Sequence, residues 1–220
     1  MSSLVDDLRY TLLSDGSSDR VLMPLLSWAL REQGVTRSLT AEWADLRILR
    51  RPPSSLKSRI EAALNLYECD LLFVHRDAEN ATVDDRRREI RTALDAARTT
   101  VPTVCVVPRR MVEAWLLFDE GVIRSASGNP KGSVRLDLPA TIRLEDVVDP
   151  KSVLHNLLRT ASEYQGRRLR SLHVRGLTHR VSELLEEFHK LRVLPAFVAF
   201  ERELSDVVAQ NEWRNVRNTF

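Results

Sequence analysis

Three acidic motifs in this chain stand where an apolar run stops. Thr11-Leu12-Leu13-Ser14 leads into Asp15-Gly16-Ser17-Ser18-Asp19, and Leu71-Leu72-Phe73-Val74 leads into His75-Arg76-Asp77-Ala78-Glu79. Val104-Cys105-Val106-Val107 is followed, after Pro108, by Met111-Val112-Glu113-Ala114-Trp115-Leu116-Leu117. Carboxylates that gather in one place need a compensating charge, and a divalent cation held by oxygen ligands is the usual one. The candidate ligands are Asp15, Asp19, His75, Asp77, Glu79 and Glu113. All carboxylates and one imidazole, they suit Mg²⁺ or Mn²⁺, and the imidazole tilts the set toward Mn²⁺.

Each motif admits two readings. A carboxylate and a glycine between strand and helix can hold a metal beside free helix amides, or Ser17, Ser18 and Asp19 simply cap the helix. Asp77 and Glu79, two apart in a loop, can share an ion or pair with Arg76, Arg86 or Arg87. Glu113 lies in an apolar run, where a buried carboxylate demands a partner; on a helix it can also ride an exposed stripe.

The elements that would position these groups alternate. Strands are expected at 9–14, 41–49, 70–75 and 101–107, with helices at 18–32, from Pro53-Ser54-Ser55 onward, and at 84–98. Pro24 should kink the first helix or delay its start. Strands separated by helices of this length make a mainly parallel sheet, whose ligands bind outside the carboxyl ends of the strands. A helix is expected at 109–119, then a loop-rich link over 126–148. Helices follow at 150–162, 168–190 and 193–211. The organisation is therefore an α/β domain over 1–125, a link, and a helical C-terminal region over 149–220.

Composition narrows the class. The chain has 220 residues, 43% of them hydrophobic, enough for a sizeable core. No apolar stretch spans a bilayer, and Met1–Asp7 lacks the pattern of a signal peptide. Cys69 and Cys105 read as buried thiols, so the expected compartment is the cytoplasm and no membrane is involved. Net charge is +2, yet only four of the 33 basic residues are Lys. Arginine forks favour phosphate, although the codon usage of a GC-rich genome yields the same bias. Arg76, Arg86, Arg109, Arg110, Lys131, Arg167 and Arg168 are the candidate phosphate contacts. Lys151 is a candidate for neutralising transition-state charge.

Together the motifs resemble the TOPRIM domain of topoisomerases, primases and OLD-family nucleases, and most closely small stand-alone bacterial TOPRIM-like proteins. The stretches that carry the resemblance are Asp15–Asp19, Phe73–Asp77 and Glu113-Ala114-Trp115-Leu116-Leu117-Phe118-Asp119. It covers residues 9–120 and implies a TOPRIM/Rossmann-like fold with Mg²⁺- or Mn²⁺-dependent phosphodiester cleavage. Asp15, Asp77, Glu79, Glu113 and Lys151 would then be the catalytic set. Two positions depart from the family pattern: Asp15 stands for a glutamate, and His75 stands for the first acid of Asp-x-Asp unless Asp77-x-Glu79 is that pair. The resemblance also implies an ABC- or AAA-type ATPase partner in a bacterial anti-phage or toxin module, since no Walker A pattern occurs here. Self-association stays open. The alternative is a non-catalytic regulatory or binding subunit, docking on that ATPase through its helical region.

Overall fold

Alternate residues of the central strands carry two sets of apolar side chains, and both sets are buried. The computed structural model describes residues 7–214, so residues 1–6, most of the segment read for a signal peptide, lie outside it. β1 (Asp7–Leu13), β2 (Ser38–Trp43), β3 (Leu71–His75) and β4 (Thr103–Val106) form one all-parallel sheet in the order β2-β1-β3-β4. Leu8, Tyr10 and Leu12 of β1 share one hydrophobic cluster with Leu71, Phe73, Val104 and Val106. Leu13, Leu72, Val74 and Cys105 belong to a second cluster. A parallel sheet covered on both faces explains why β3 reads as an unbroken apolar run.

The helices divide between the faces. α1 (Met23–Glu32) brings Leu25, Leu26, Ala29 and Leu30 to the first cluster. α2 (Leu56–Leu66) and α3 (Val83–Ala97) bring Ile60, Ala63 and Ile90 to the second. β1 therefore hands the chain to one side of the sheet and β3 to the other. That makes the gap between their carboxyl ends the switch point at which α/β sheets open a crevice.

The helical region consists of α4 (Glu120–Ala126), α5 (Pro150–Ser162), α6 (Gly166–Arg170), α7 (Val174–Leu184) and α8 (Pro195–Gln210). Leu154, Leu158, Val181, Phe197, Phe200, Leu204 and Val208 join the first cluster, so these helices complete that face of the sheet. The link is also structural. Asn129 donates to the Ala161 carbonyl at 3.0 Å, and buried Glu145 accepts from the Ala196 amide at 2.9 Å, capping α8.

Several boundaries differ from the sequence reading. The first helix starts as a 3-10 turn over Ser17–Leu22 and becomes α-helical only at Met23, with Pro24 in its first turn. β2 ends at Trp43 rather than Leu49, and residues 46–48 form a 3-10 turn under the Asp45 cap. The helix expected at 109–119 is extended backbone followed by a 3-10 turn, Val112–Leu116. The one expected at 168–190 breaks into α6 and α7, with a 3-10 turn at His189–Val193. Pro24 delays the first helix as expected, and over 109–119 and 168–190 tertiary packing overrides an apolar periodicity that suits a longer helix. Both thiols are free, but Cys69 is only half-buried.

β4 is an edge strand, and its open side is closed by a charge clamp. Glu203 of α8 accepts from the Cys105 amide at 3.1 Å, and its two oxygens pair with Arg91 and Arg87 of α3 at 2.8 and 2.6 Å. A helix on one face is thus tied to a helix on the other around the exposed ladder. Burial and the Glu203 charge push the Cys105 thiol up to about 12, so it stays protonated. Glu203→Ala leaves a buried amide and two arginines without their acceptor, and is expected to cost roughly 2–4 kcal/mol in urea unfolding. Glu203→Gln, which keeps an acceptor for Cys105, should cost clearly less.

Candidate active site

The chain leaves β1 through Ser14 and turns at Gly16. The Ser14 hydroxyl receives the Trp43 indole N–H at 2.9 Å, fixing the exit. Asp19 folds back so that Oδ2 accepts the Gly16 amide at 3.0 Å and Oδ1 the Ser18 hydroxyl at 3.0 Å. Asp19 therefore is the cap the sequence suggested, and it is buried beside the strand end.

Beyond β3, residues 76–79 run beside 106–110. The amides of Arg76, Ala78 and Glu79 donate to the carbonyls of Val106, Pro108 and Arg110. This keeps two strand exits in step, and Asp77 completes the link: its Oδ1 accepts the Val112 amide at 3.0 Å at the start of the 3-10 turn. That turn carries Glu113 and Trp115. Trp115 is sunk into the first cluster, its ring 5.2 Å from Phe197 and 6.1 Å from Phe200, centroid to centroid. With Trp115 anchored, Glu113 is held buried at 4% exposure rather than on a solvent stripe.

Four of the expected ligands thus reach one end of the sheet. His75 is buried, and its Nδ1 lies 2.9 Å from the Val106 carbonyl, which can only accept. Nδ1 therefore carries a hydrogen, and Nε2 faces Asp77 Oδ1 at 3.4 Å. Burial raises the Asp77 carboxyl to about 6, with His75 pulling it down and the charges of Asp19 and Glu113 pushing it up. At that distance Nε2 and Oδ1 can share a proton or a cation.

The remaining candidates are placed differently. Asp15 is half-exposed and pairs with Arg59 and, at 2.9 Å, with Arg76. Glu79 is exposed, with a left-handed backbone (φ 51°) held by Arg110. Asp15, Asp19, His75, Asp77, Glu79, Arg76 and Arg86 nevertheless line one cleft of about 310 Å³. Arg86 reaches the Asp77 carbonyl at 3.1 Å and Glu89 at 2.6 Å. Lys151 of α5 stands 3.4 Å from Glu113. Arg109 pairs with Asp146 on the surface. Lys131, Arg167 and Arg168 line neither this cleft nor its neighbour. The turn that carries Lys131 braces α5, where the Asn129 amide donates to the Ala161 carbonyl.

Donor chemistry suits a hard divalent ion: carboxylate oxygens plus an imidazole whose free nitrogen is oriented by a carbonyl, as in many metal-ligating histidines. The side chains are not closed around a point. Among the described residues no group of three or more His, Cys, Asp or Glu is arranged to hold a metal. An ion would draw Glu113 from Lys151 and Asp19 from its loop. Sequence reasoning passed over Arg59, which holds Asp15, and the histidines of the helical region; the crowding of His155, His173, His179 and His189 into 35 residues was the available signal.

No family model matches the chain, and neither a curated protein nor a solved structure matches it.

The sign of the Asp77 effect is testable. Its folded value of about 6 lies above the ordinary 3.8, so the folded state holds the proton more tightly than the unfolded chain. The resulting destabilisation is absent below pH 3.8, grows up to about pH 6, and is fully present above it. In EDTA at neutral pH, Asp77→Asn should therefore stabilise the protein by roughly 1–2 kcal/mol, and the gain should vanish near pH 4. Thermal melts across pH measure this. Mn²⁺ should raise the wild-type melting temperature and leave that of Asp77→Asn unmoved.

Proposed function

We propose that the chain is a Mg²⁺- or Mn²⁺-dependent phosphodiester hydrolase acting on nucleic acid, a nuclease of TOPRIM type. The observation that carries the reading is geometric: Asp19, His75 and Asp77 line one cleft beyond the carboxyl ends of β1 and β3, and Asp77 accepts the Val112 amide of the turn that bears Glu113. His75 and Asp77 would hold the ion, joined by Asp19 and Glu113. When bound, a divalent ion lowers the pKa of its water and neutralises charge on the phosphoryl oxygens.

The protein groups have separate work. The Val106 carbonyl fixes the His75 tautomer, and the Val112 amide orients Asp77. Lys151 offsets the Glu113 charge and lies where it can meet a phosphate oxygen. Arg76 and Arg86 supply positive charge on the cleft wall. Arg76 also holds Asp15, so a phosphate arriving there can exchange with a carboxylate.

One observation favours the second reading, a non-catalytic subunit that docks on an ATPase. Ile142, Val148 and Val193 are each more than half exposed, and the turns carrying Ile142 and Val193 pack together. Under the nuclease reading the same surface would receive the ATPase that restrains or triggers cleavage.

The deciding assay incubates the purified chain with supercoiled plasmid and with single-stranded RNA, in Mg²⁺, Mn²⁺ or EDTA. Cleavage is expected with metal and absent in EDTA, and Asp77→Asn or Glu113→Gln should lower the rate at least about 100-fold. Absence of cleavage by the wild type in every metal, alone and with a co-expressed ATPase, favours the docking subunit.

A further inference from the structure

Next to the acidic cleft lies a larger one of about 550 Å³. Gly16 and Ser18 line both, so the two adjoin across the β1 exit. Its other walls come from the helical region: Lys151 and His155 from α5, and His173, Arg175 and His179 from the start of α7, with Arg47 opposite. Three permanent cations and three imidazoles thus surround a space whose one carboxylate, Glu113, already faces Lys151.

Most of these groups are unspent. Arg47 is held by Asp45 and lies over the Trp43 ring, 5.1 Å from its centroid. Arg175 and the side chains of His155, His173 and His179 make no hydrogen bond or ion pair with the described residues. Burial, ahead of the positive charges of Arg159, Lys151 and Arg175, holds His155 below its usual range, with Glu113 opposing them. The unpaired Arg175 guanidinium, with three imidazoles and Lys151 along the same concave surface, matches the oxygens of a phosphate.

A glycine supports the same conclusion independently. Gly176 lies in the first turn of α7, directly under its N-cap His173. A Cβ at that position would stand 2.7 Å from His173 Nδ1 and 3.2 Å from Cε1. The His173 ring folds back over the first turn of its own helix, into space that only glycine leaves open. The absence of a side chain there lets the exposed imidazole lie at the cleft.

We infer that this second cleft binds a phosphate of the nucleic-acid strand next to the one lying at the acidic cluster, so that α5 and α7 build half of the substrate site. The inference deepens the hydrolytic reading and rests on it for the substrate class. The strand would run from Asp77 past Gly16 and Ser18 to Arg175, crossing from the sheet onto the helices. His173 and His179 donate to phosphate oxygens, and Arg175 carries the charge contact.

The test measures binding without catalysis. A fluorescein-labelled single-stranded oligonucleotide of about ten nucleotides is titrated in EDTA by anisotropy, a length that covers one backbone-tracking groove. The double substitution His173→Ala with Arg175→Ala is expected to raise the dissociation constant at least about tenfold and to flatten its salt dependence. Gly176→Ala should weaken binding severalfold while the melting temperature holds or rises, which a purely structural role for Gly176 would not produce. Asp77→Asn should bind as well as wild type or better, since it removes negative charge beside the strand. The proposal is overturned if wild type does not bind, or if the double variant binds equally. A chain that binds through Arg175 yet cuts nothing in any metal would sink the hydrolytic reading and leave the cleft standing.

Discussion

Like charges have been brought together at one end of this sheet, and their mutual repulsion has to be answered locally. Asp15, Asp19, Asp77 and Glu113 each meet a different kind of partner. Arg59 and Arg76 take the first, loop amide and hydroxyl groups the second, His75 and the Val112 amide the third, and Lys151 the fourth. Burial leaves the Asp77 carboxyl raised to about 6, into the range where a proton is easily exchanged. The repulsion also explains why the cleft is lined with both signs of charge: the arginines permit the carboxylates to approach one another.

The packing serves this arrangement from both sides. Trp115 fills the first cluster against Phe197 and Phe200, so the turn that bears Glu113 cannot swing outward. Glu203 closes the β4 edge by drawing α3 and α8 together, which steadies the strand whose exit leads to that turn. The helical region is thus more than an appendage. Its α8 covers the sheet, its α5 delivers Lys151, and its α7 walls the neighbouring cleft.

Much of the fold was legible because buried parallel strands have a plain signature. Runs such as Leu71–Val74 are apolar at every position only if both faces are covered, and the helices between them obey helical spacing. The misreadings share a cause. Residues 109–119 and 168–190 have apolar spacing compatible with helix, but Asp77 capping at Val112 and the break between α6 and α7 are imposed by neighbours distant in sequence. The candidate ligands were found because each stands at the end of a run. Arg59, the partner of Asp15, was not, nor were Arg175 and the Gly176–His173 contact, since these lie on helices whose facing surfaces no local pattern reveals.

The sequence by itself therefore determined the four strands, the parallel character of the sheet and the acids that sit at strand ends, because periodicity and strand termini are local properties. Tertiary structure alone decided which of those acids are free. Asp15 is consumed by arginines from α2 and the β3 exit, whereas Asp77 is tuned by Asp19, His75 and Glu113 from three exits. Charge interactions depend on distance and burial, which arise only once the strand order β2-β1-β3-β4 has set those exits side by side.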